Sequence, residues 1–198
     1  MNQDPSSALP RLRLAVARET RGLSSVFRPR LLVWTLCARL LPDHALCLLR
    51  RSFYRLAGCR IDPAVTLLGR LTLIGSGDIS RRLHIGEGSI VAQGVTFGLD
   101  GEILIGCNVS ISPYVKLYTA THNLGYGSRR MGPGAKSKPI TIEDGVWIGI
   151  GSLILSGVTL GQGCVVSAGS VVTSNVPPNT LVSGSPATVQ KQLPFGDR

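Results

Sequence analysis

Aliphatic residues recur at every sixth position through the C-terminal half of this sequence. Between residues 142 and 172 no such position is missed, and the set is Ile142, Ile148, Ile154, Leu160, Val166 and Val172. A glycine stands three residues after each of the first five members, and Asn175 holds the sixth such position. An α-helix cannot use this arrangement, because its period is 3.6 residues and each interior glycine costs ~1 kcal/mol relative to alanine. The repeat therefore predicts short strands separated by tight corners.

Each six-residue unit is expected to bury two side chains, the aliphatic one and a smaller one four residues later. The smaller residues are Val146, Ser152, Val158, Cys164, Ser170 and Val176. The glycine or asparagine between them turns the backbone, since both tolerate a positive φ angle. Three units close one coil of eighteen residues, and stacked coils make a three-sided parallel β-helix. The fold prediction is mainly β, with a hexapeptide-repeat β-helix domain over residues 61–198 that includes a loop at 123–139 and a short C-terminal tail.

The same period appears earlier in the chain, with interruptions. It is irregular between Ile61 and Leu83, and two series follow, at Ile85, Val91 and Phe97 and then, two residues late, at Ile105, Ile111 and Leu117. Asn108 holds a corner position in the second series, and the two additional residues around Asp100 and Gly101 predict a small turn. Residues 123–139 are rich in Gly, Pro and positive charge and predict a long loop. Such a loop in a regular coil usually has a function.

The N-terminal segment, residues 1–60, differs from the repeats in charge and in hydrophobic period. It holds eleven Arg and three acidic residues, so most of the net charge of +10 belongs to it. Residues 1–25 are a basic lead, and apolar residues then recur at helical spacing from Phe27 to Leu56. Pro42 with Asp43 divides this stretch into two helices. Arg50, Arg51 and Arg55 are expected at the end of the second helix, where cations suit the helix dipole.

Two interpretations of this segment stay open. It can be a helical cap over the open end of the β-helix, since the terminal repeats of a solenoid need covering. It can also be a basic amphipathic element that rests on anionic lipid, which would give a peripheral membrane contact.

Composition narrows the cellular setting. The most apolar stretch, 31–49, is interrupted by Arg39, Pro42, Asp43 and His44, so neither a membrane span nor a leader peptide is expected. The five cysteines include no C-x-x-C pair, so a disulfide framework and a zinc knuckle are both disfavoured. A reducing cytoplasm fits this cysteine usage.

The sequence contains three histidines, and they differ in position. His44 lies in the helical segment, and His84 precedes Ile85 on a predicted strand, where a packing or surface role is expected. His122 ends a coil at the start of the long loop, which is where solenoids place functional groups. His122 is therefore the candidate general base.

The C-terminal two thirds of the chain carry motifs beyond the repeat. They are ATHN before the loop, PITIEDGVWIGIG after it, and VPPNTLVSGSPA at the close. In this combination, over residues 61–193, the sequence resembles the hexapeptide-repeat acyltransferases, and among them the O-acetyltransferases acting on sugars, nodulation oligosaccharides and exopolysaccharide precursors. The resemblance implies a left-handed β-helix, a homotrimer with clefts between neighbouring prisms, and direct acyl transfer from acetyl-CoA to an acceptor.

The resemblance also implies individual roles. His122 matches the catalytic histidine, and backbone amides near Gly149 and Ile150 are candidates to bind the oxyanion. Coenzyme A would meet Trp147 at the pantetheine arm, Ala168 through backbone atoms, Thr173 and Ser174 near the nucleotide, and Lys191 at the 3′-phosphate. Trp147 can equally fill an oligomer interface, and Lys191 can be a solvated charge. The acceptor-positioning carboxylate or amide of the relatives has only Asp100 as a nearby candidate.

The sequence disfavours several other functions. A metal-dependent enzyme on the same fold needs clustered histidines, and the repeats contain only His84 and His122, so no metal is expected. Cys164 falls on an inward position where a thiol is inert. Nucleic-acid binding is disfavoured because basic and aromatic residues do not interleave. Two alternatives stay open: N-acetylation of an amino sugar or antibiotic, and a non-enzymatic β-helix scaffold.

Overall fold

The computed structural model describes residues 28–128 and 130–194, which contain two α-helices, a 3-10 helix at Ser80–Arg82 and nineteen short strands. The helices are α1 (Pro29–Arg39) and α2 (Cys47–Ala57). The strands, in chain order from β1 to β19, are Arg60–Ile61, Thr66–Leu67, Thr72–Ile74, Leu83–Ile85, Ile90–Val91, Thr96–Gly98, Ile103–Ile105, Ser110–Ile111, Lys116–Tyr118, Ala120–Leu124, Met131–Ser137, Ile140–Ile142, Trp147–Ile148, Leu153–Ile154, Thr159–Leu160, Val165–Val166, Val171–Val172, Thr180–Gly184 and Ala187–Gln192.

Successive strands go to three sheets in turn, as a three-sided coil requires. The first face has the order β1-β4-β7-β12-β15, the second β2-β5-β8-β13-β16-β18-β19, and the third β3-β6-β9-β14-β17. Pairing between successive coils is parallel. Among the described strands, the antiparallel pairs are β10 with β11 and β18 with β19. The predicted left-handed parallel β-helix is confirmed.

The interior is built as the six-residue period predicts. All six aliphatic residues between 142 and 172 are buried, and so are the six smaller residues four positions later. Parallel pairing aligns these residues from coil to coil, so that Ile105, Ile142 and Leu160 form one column. The core is therefore a stack of like side chains along the axis, which parallel register enforces.

The corners follow the prediction with one exception. The five predicted glycines have φ between +65° and +81°, and Asn108 shares this conformation with φ +55°. The expectation for Asn175 is wrong, because this residue does not adopt a positive φ. Its side-chain oxygen instead accepts a hydrogen bond of 2.8 Å from the Thr159 amide, which joins two coils.

The segment predicted as a loop at 123–139 is an antiparallel hairpin, here called the arm (residues 120–137). Strands β10 and β11 form it, with His122 opposite Ala135 and Leu124 opposite Met131. Glycine and proline in this segment suggested a loop, but the two strands satisfy each other's backbone groups away from the coil. The predicted turn at Asp100 and Gly101 is present between β6 and β7.

Helix α2 lies over the first coil, and its arginines do not sit as expected. Since α2 begins at Cys47, Arg50 and Arg51 belong to its first half, and only Arg55 lies in the last turn. Arg50 is buried and donates hydrogen bonds to the carbonyl oxygens of Leu67, Leu41 and Pro42. Its guanidinium therefore satisfies backbone carbonyls at the end of the coil, and it does not complement the helix dipole.

Candidate active site

His122 stands exposed on strand β10, close to where the arm leaves the coil. Its imidazole forms no hydrogen bond with any other residue in the described part of the chain. A ring nitrogen with no partner can accept a proton from a bound hydroxyl group. The arm thus exposes an imidazole without a hydrogen-bond partner at this edge of the β-helix.

Hydrogen bonds centred on Thr119 fix the point where the arm leaves the coil. The Thr119 hydroxyl donates to the Gly98 carbonyl at 2.6 Å and accepts from the Gly101 amide at 2.7 Å. The Ser156 hydroxyl donates to the Thr119 carbonyl at 2.7 Å. Residues of three successive coils therefore position the strand that carries His122.

Asp100 lies at the same edge, in the turn that follows β6, one coil closer to the N-terminus than the arm. One of its carboxylate oxygens accepts hydrogen bonds from the amide (3.0 Å) and the hydroxyl (2.7 Å) of Ser76. These bonds hold the carboxylate and leave its second oxygen without a hydrogen bond among the described residues. Asp100 and the arm that carries His122 thus lie at the same edge of the β-helix, between the third face and the first.

Trp147 lies on another side of the prism, on the second face. The residue is 55% exposed, and its Nε1 atom donates a hydrogen bond of 3.3 Å to the Ser112 hydroxyl. In the same row across the sheet lie Val165, Leu181 and Lys191. Three strand spacings separate Trp147 from Lys191, which corresponds to about 14 Å.

Gly149 and Ile150 form the corner that follows Trp147, between the second and the third face. The Gly149 amide donates to the Val166 carbonyl at 2.7 Å, so it is not free to bind an oxyanion. The Ile150 amide has no hydrogen-bond partner among the described residues. Of the two predicted donors, only Ile150 can serve.

Ala168 occupies the equivalent corner one coil further on. Neither its amide nor its carbonyl takes part in a backbone hydrogen bond within residues 28–128 and 130–194. The Gly169 amide beside it donates to the Ile150 carbonyl at 2.8 Å, which ties the two corners together. Trp147, Ile150 and Ala168 thus form one continuous surface with unpaired backbone groups.

Thr173 and Ser174 do not belong to that surface. They are exposed at the end of the third face, at the edge that also bears the arm. The predicted residues therefore fall into two sets, one around Trp147 and one around His122. A face of six residues separates the two sets, which at ~3.3 Å per residue is at most about 20 Å.

Exposed apolar side chains on the arm were not predicted as functional. Leu124, Tyr126 and Met131 are exposed there, and Tyr126 is 97% accessible. Two further exposed apolar residues, Ile90 and Tyr114, lie on the other side of the β-helix, in the set that contains Trp147 and Ile150. The sequence signal was present as large apolar residues inside a Gly-rich segment, where solvated loops usually lack them.

Two of the cysteines are buried and unreactive by environment. Burial raises the pKa of the Cys164 thiol to about 12, with a further contribution from the nearby Glu143 carboxylate. Burial alone raises the pKa of Cys59 to about 12. The expectation that Cys164 is inert agrees with this environment.

Residues 28–128 and 130–194 contain neither a membrane-spanning helix nor a cluster of metal ligands. Neither helix there is long and apolar enough to cross a bilayer. No three His, Cys, Asp or Glu side chains in those ranges come together as a set of metal ligands.

Comparison with known proteins identifies relatives of the repeat region. A family model described as the hexapeptide repeat of succinyl-transferase matches residues 139–174. The galactoside O-acetyltransferase of Escherichia coli K12 is 37% identical over 116 residues, 59% of this chain and 57% of the relative. That of Lactococcus lactis is 33% identical over 117 residues, 59% of this chain and 56% of the relative. The aligned region thus spans somewhat over half of these curated relatives.

The solved structures extend the similarity to most of the chain. A hexapeptide-repeat-containing acetyltransferase from Vibrio cholerae is 32% identical, with a TM-score of 0.72, and the match covers 85% of this chain and 91% of that one. Its complex with acetyl coenzyme A matches with a TM-score of 0.66, again at 32% identity, over 85% and 87% of the two chains. This chain belongs to the hexapeptide-repeat acetyltransferase family.

Proposed function

We propose that this chain transfers an acetyl group from acetyl-CoA to a hydroxyl group of a sugar or polysaccharide precursor. The observation that carries the proposal is the unbonded imidazole of His122 on an arm anchored by three coils. The Vibrio cholerae relative in complex with acetyl coenzyme A supports the donor. The galactoside O-acetyltransferases support a sugar hydroxyl as the acceptor.

The proposed reaction needs one base and one oxyanion donor. A neutral His122 imidazole takes the proton of the acceptor hydroxyl while its oxygen attacks the thioester carbonyl. The carbonyl oxygen becomes an oxyanion, and the Ile150 amide, which has no hydrogen-bond partner among the described residues, would donate to it. The carbon–sulfur bond then breaks, and the imidazolium returns the proton to the departing thiolate. Base catalysis of this kind contributes ~10²–10⁴ in rate.

The donor would lie along the surface of Trp147, Ile150 and Ala168. The exposed Trp147 ring offers a flat apolar wall for the pantetheine arm, and the unpaired amide and carbonyl of Ala168 match its amide groups. Lys191, in the same row as Trp147, provides a positive charge for the 3′-phosphate. The row thus offers an apolar contact at one end and a positive charge at the other, which fits an extended ligand that carries a phosphate at one end.

We infer that the functional unit is a homotrimer. In one protomer the arm with His122 and the surface around Trp147 lie at different edges, so one chain does not enclose a donor and a base together. Rotation about a threefold axis brings the arm edge of one copy against the second face of the next, a head-to-tail contact that closes into a ring. Exposed apolar residues on both sides supply the contact, and Thr173 and Ser174 would meet the nucleotide bound to the neighbouring copy.

Asp100 is the proposed acceptor-positioning group. Its second carboxylate oxygen is unbonded within the described residues and lies at the edge that bears His122. A carboxylate there can accept a hydrogen bond from a second sugar hydroxyl and so orient the attacking one.

We place the protein in the cytoplasm, where its five free cysteines stay reduced, and propose peripheral contact of its N-terminal segment with a membrane.

Titration with coenzyme A followed by an acceptor screen tests this proposal. Calorimetry should show saturable binding, and labelled acetyl-CoA should transfer to carbohydrate hydroxyls in a panel that includes lipid-linked sugars and amino sugars. Label found only on amino groups would replace O-transfer by N-transfer. If coenzyme A did not bind saturably, the proposed acetyltransferase activity would be refuted and the non-enzymatic scaffold would be favoured. Activity regained on mixing His122→Ala and Lys191→Glu subunits would support sites shared between copies.

A further inference from the structure

The two helices expose a number of large apolar side chains that is unusual for a water-facing surface. Two leucines of α1, Leu32 and Leu36, and the residue that caps its C-terminus, Leu40, form one stripe at four-residue spacing, and Leu40 is 79% exposed. The remaining exposed apolar residues of this region are Val33, Leu46, Leu48, Leu49 and Leu56. These eight residues are here called the leucine face.

The leucine face is not the side of the helices that packs on the β-helix. In α2 the residues turned to the first coil are Arg50, Tyr54 and Ala57, which are buried. The two helices pack on each other through the stacked rings of Trp34 and Phe53, whose centroids are 5.6 Å apart. Packing of the described chain thus leaves the residues of the leucine face exposed, and many exposed large apolar side chains in one region mark an interaction site.

The charge around the leucine face selects the kind of partner. Residues 28–60 contain seven arginines and a single acidic residue, Asp43. Arg30, Arg39, Arg55 and Arg60 are exposed, and Arg39 lies between Leu36 and Leu40 in sequence. Arginine beside exposed leucine is the composition of helices that lie in the interface of an anionic bilayer, with apolar side chains among the acyl chains and guanidinium groups at the phosphates.

We propose that the leucine face docks this protein on an anionic lipid surface, with α1 and α2 lying in the membrane plane. The inference makes the proposed membrane contact specific, and it rests on the proposed function only for its biological purpose. Because α2 covers the first coil, docking turns the N-terminal end of the β-helix toward the bilayer. The third coil, from which the arm leaves, is then only two strand spacings, about 10 Å, beyond the first.

Flotation of the full-length protein with vesicles tests the docking. Vesicles of phosphatidylcholine with roughly a third phosphatidylglycerol should carry the protein upward, and vesicles of phosphatidylcholine alone should carry at least about tenfold less. Leu36→Gln/Leu40→Gln should lower the partition coefficient about tenfold or more. Val189→Gln, which changes an apolar residue 58% exposed at the opposite end of the β-helix, should leave it unchanged.

The other occupants of the leucine face appear as distinct results. Absence of binding together with a larger assembly that Leu36→Gln/Leu40→Gln dissolves would assign the face to a second copy and overturn the proposal. Vesicle binding that appears only after removal of residues 1–27 would assign the face to that segment and would also overturn it. Vesicle binding is measured without donor or acceptor, so its failure is separable from a failure to bind coenzyme A.

Discussion

Gly149 and Ala168 approach so closely at neighbouring corners that a Cβ atom on Gly149 would lie 2.5 Å from the backbone nitrogen of Ala168. Both residues belong to the surface proposed to hold the donor. The close approach connects the stacking of the coils with the shape of that surface. Glycine at 149 is thus required by packing, because backbone on the neighbouring coil cannot move aside cheaply.

Gly149→Ala should therefore lower thermal stability and weaken coenzyme A binding together. Overpacking against backbone typically costs ~1–3 kcal/mol. Gly151→Ala is the matched control, because a Cβ atom there meets nothing within 4 Å and only the positive φ of +69° is strained. Melting curves and calorimetry of both variants make the comparison. Equal behaviour of the two would show that coil spacing at 149 does not shape the surface.

Arg50→Met should destabilise the junction between helices and coil by about 2–4 kcal/mol. The substitution keeps much of the buried volume but removes the donors to three backbone carbonyls, which then lack partners. Arg55→Met, at an exposed position in the same helix, should change the free energy of unfolding by less than about 0.5 kcal/mol. Urea unfolding followed by fluorescence of Trp34, which stacks on Phe53 in this region, provides the measurement. A small effect of Arg50→Met would contradict the role of Arg50 at the end of the coil.

Trp147→Ala should raise KM for acetyl-CoA by roughly tenfold and leave the melting temperature near that of the parent. Trp147 is more than half exposed, so its loss removes little packing, whereas a ligand stacked on the ring would lose its apolar contact. Trp147→Phe should recover most of the affinity. Steady-state kinetics against acetyl-CoA would decide, and an unchanged KM in the alanine variant would leave Trp147 with an interface role only.

Stability should decline with alkaline pH because of the two buried thiols. The pKa values of Cys59 and Cys164 rise from 9.0 to about 12 on folding, so the unfolded chain releases these protons first. Their contribution is complete below pH 9 and is lost as pH rises toward 12. Urea midpoints between pH 8 and pH 11, compared with a Cys59→Ala/Cys164→Ala variant, should show a steeper fall in the parent. Parallel profiles would contradict the burial of these thiols.

The six-residue period predicted the coils, and the helical spacing of apolar residues with the break at Pro42 predicted two helices where α1 and α2 lie. Period six identified the buried residues from Ile142 to Val172, because parallel register places like residues on like residues. It did not identify the arm as a hairpin, since its strands are held by each other and carry no repeat. Asn175 was misjudged because a side-chain hydrogen bond to Thr159, invisible in sequence, replaces the left-handed corner.

The candidate site was predicted less completely than the fold. His122 followed from its position at the end of a coil, before a long insertion. The distinction between Gly149 and Ile150 as oxyanion donors could not be predicted, because it depends on which amide bonds to the next coil. The separation of Trp147 from His122 by a whole face likewise follows only from the closed triangular geometry.

The most direct test of the proposed function is the rate of acetyl transfer in His122→Ala, measured with binding of coenzyme A on the same preparation. His84→Ala is the matched control, since His84 lies on the first face with its Nε2 atom 3.0 Å from the Arg81 carbonyl oxygen. With His122 as the base, transfer falls at least about a hundredfold while coenzyme A binding and folding are retained. Transfer at the parental rate in His122→Ala would contradict the account.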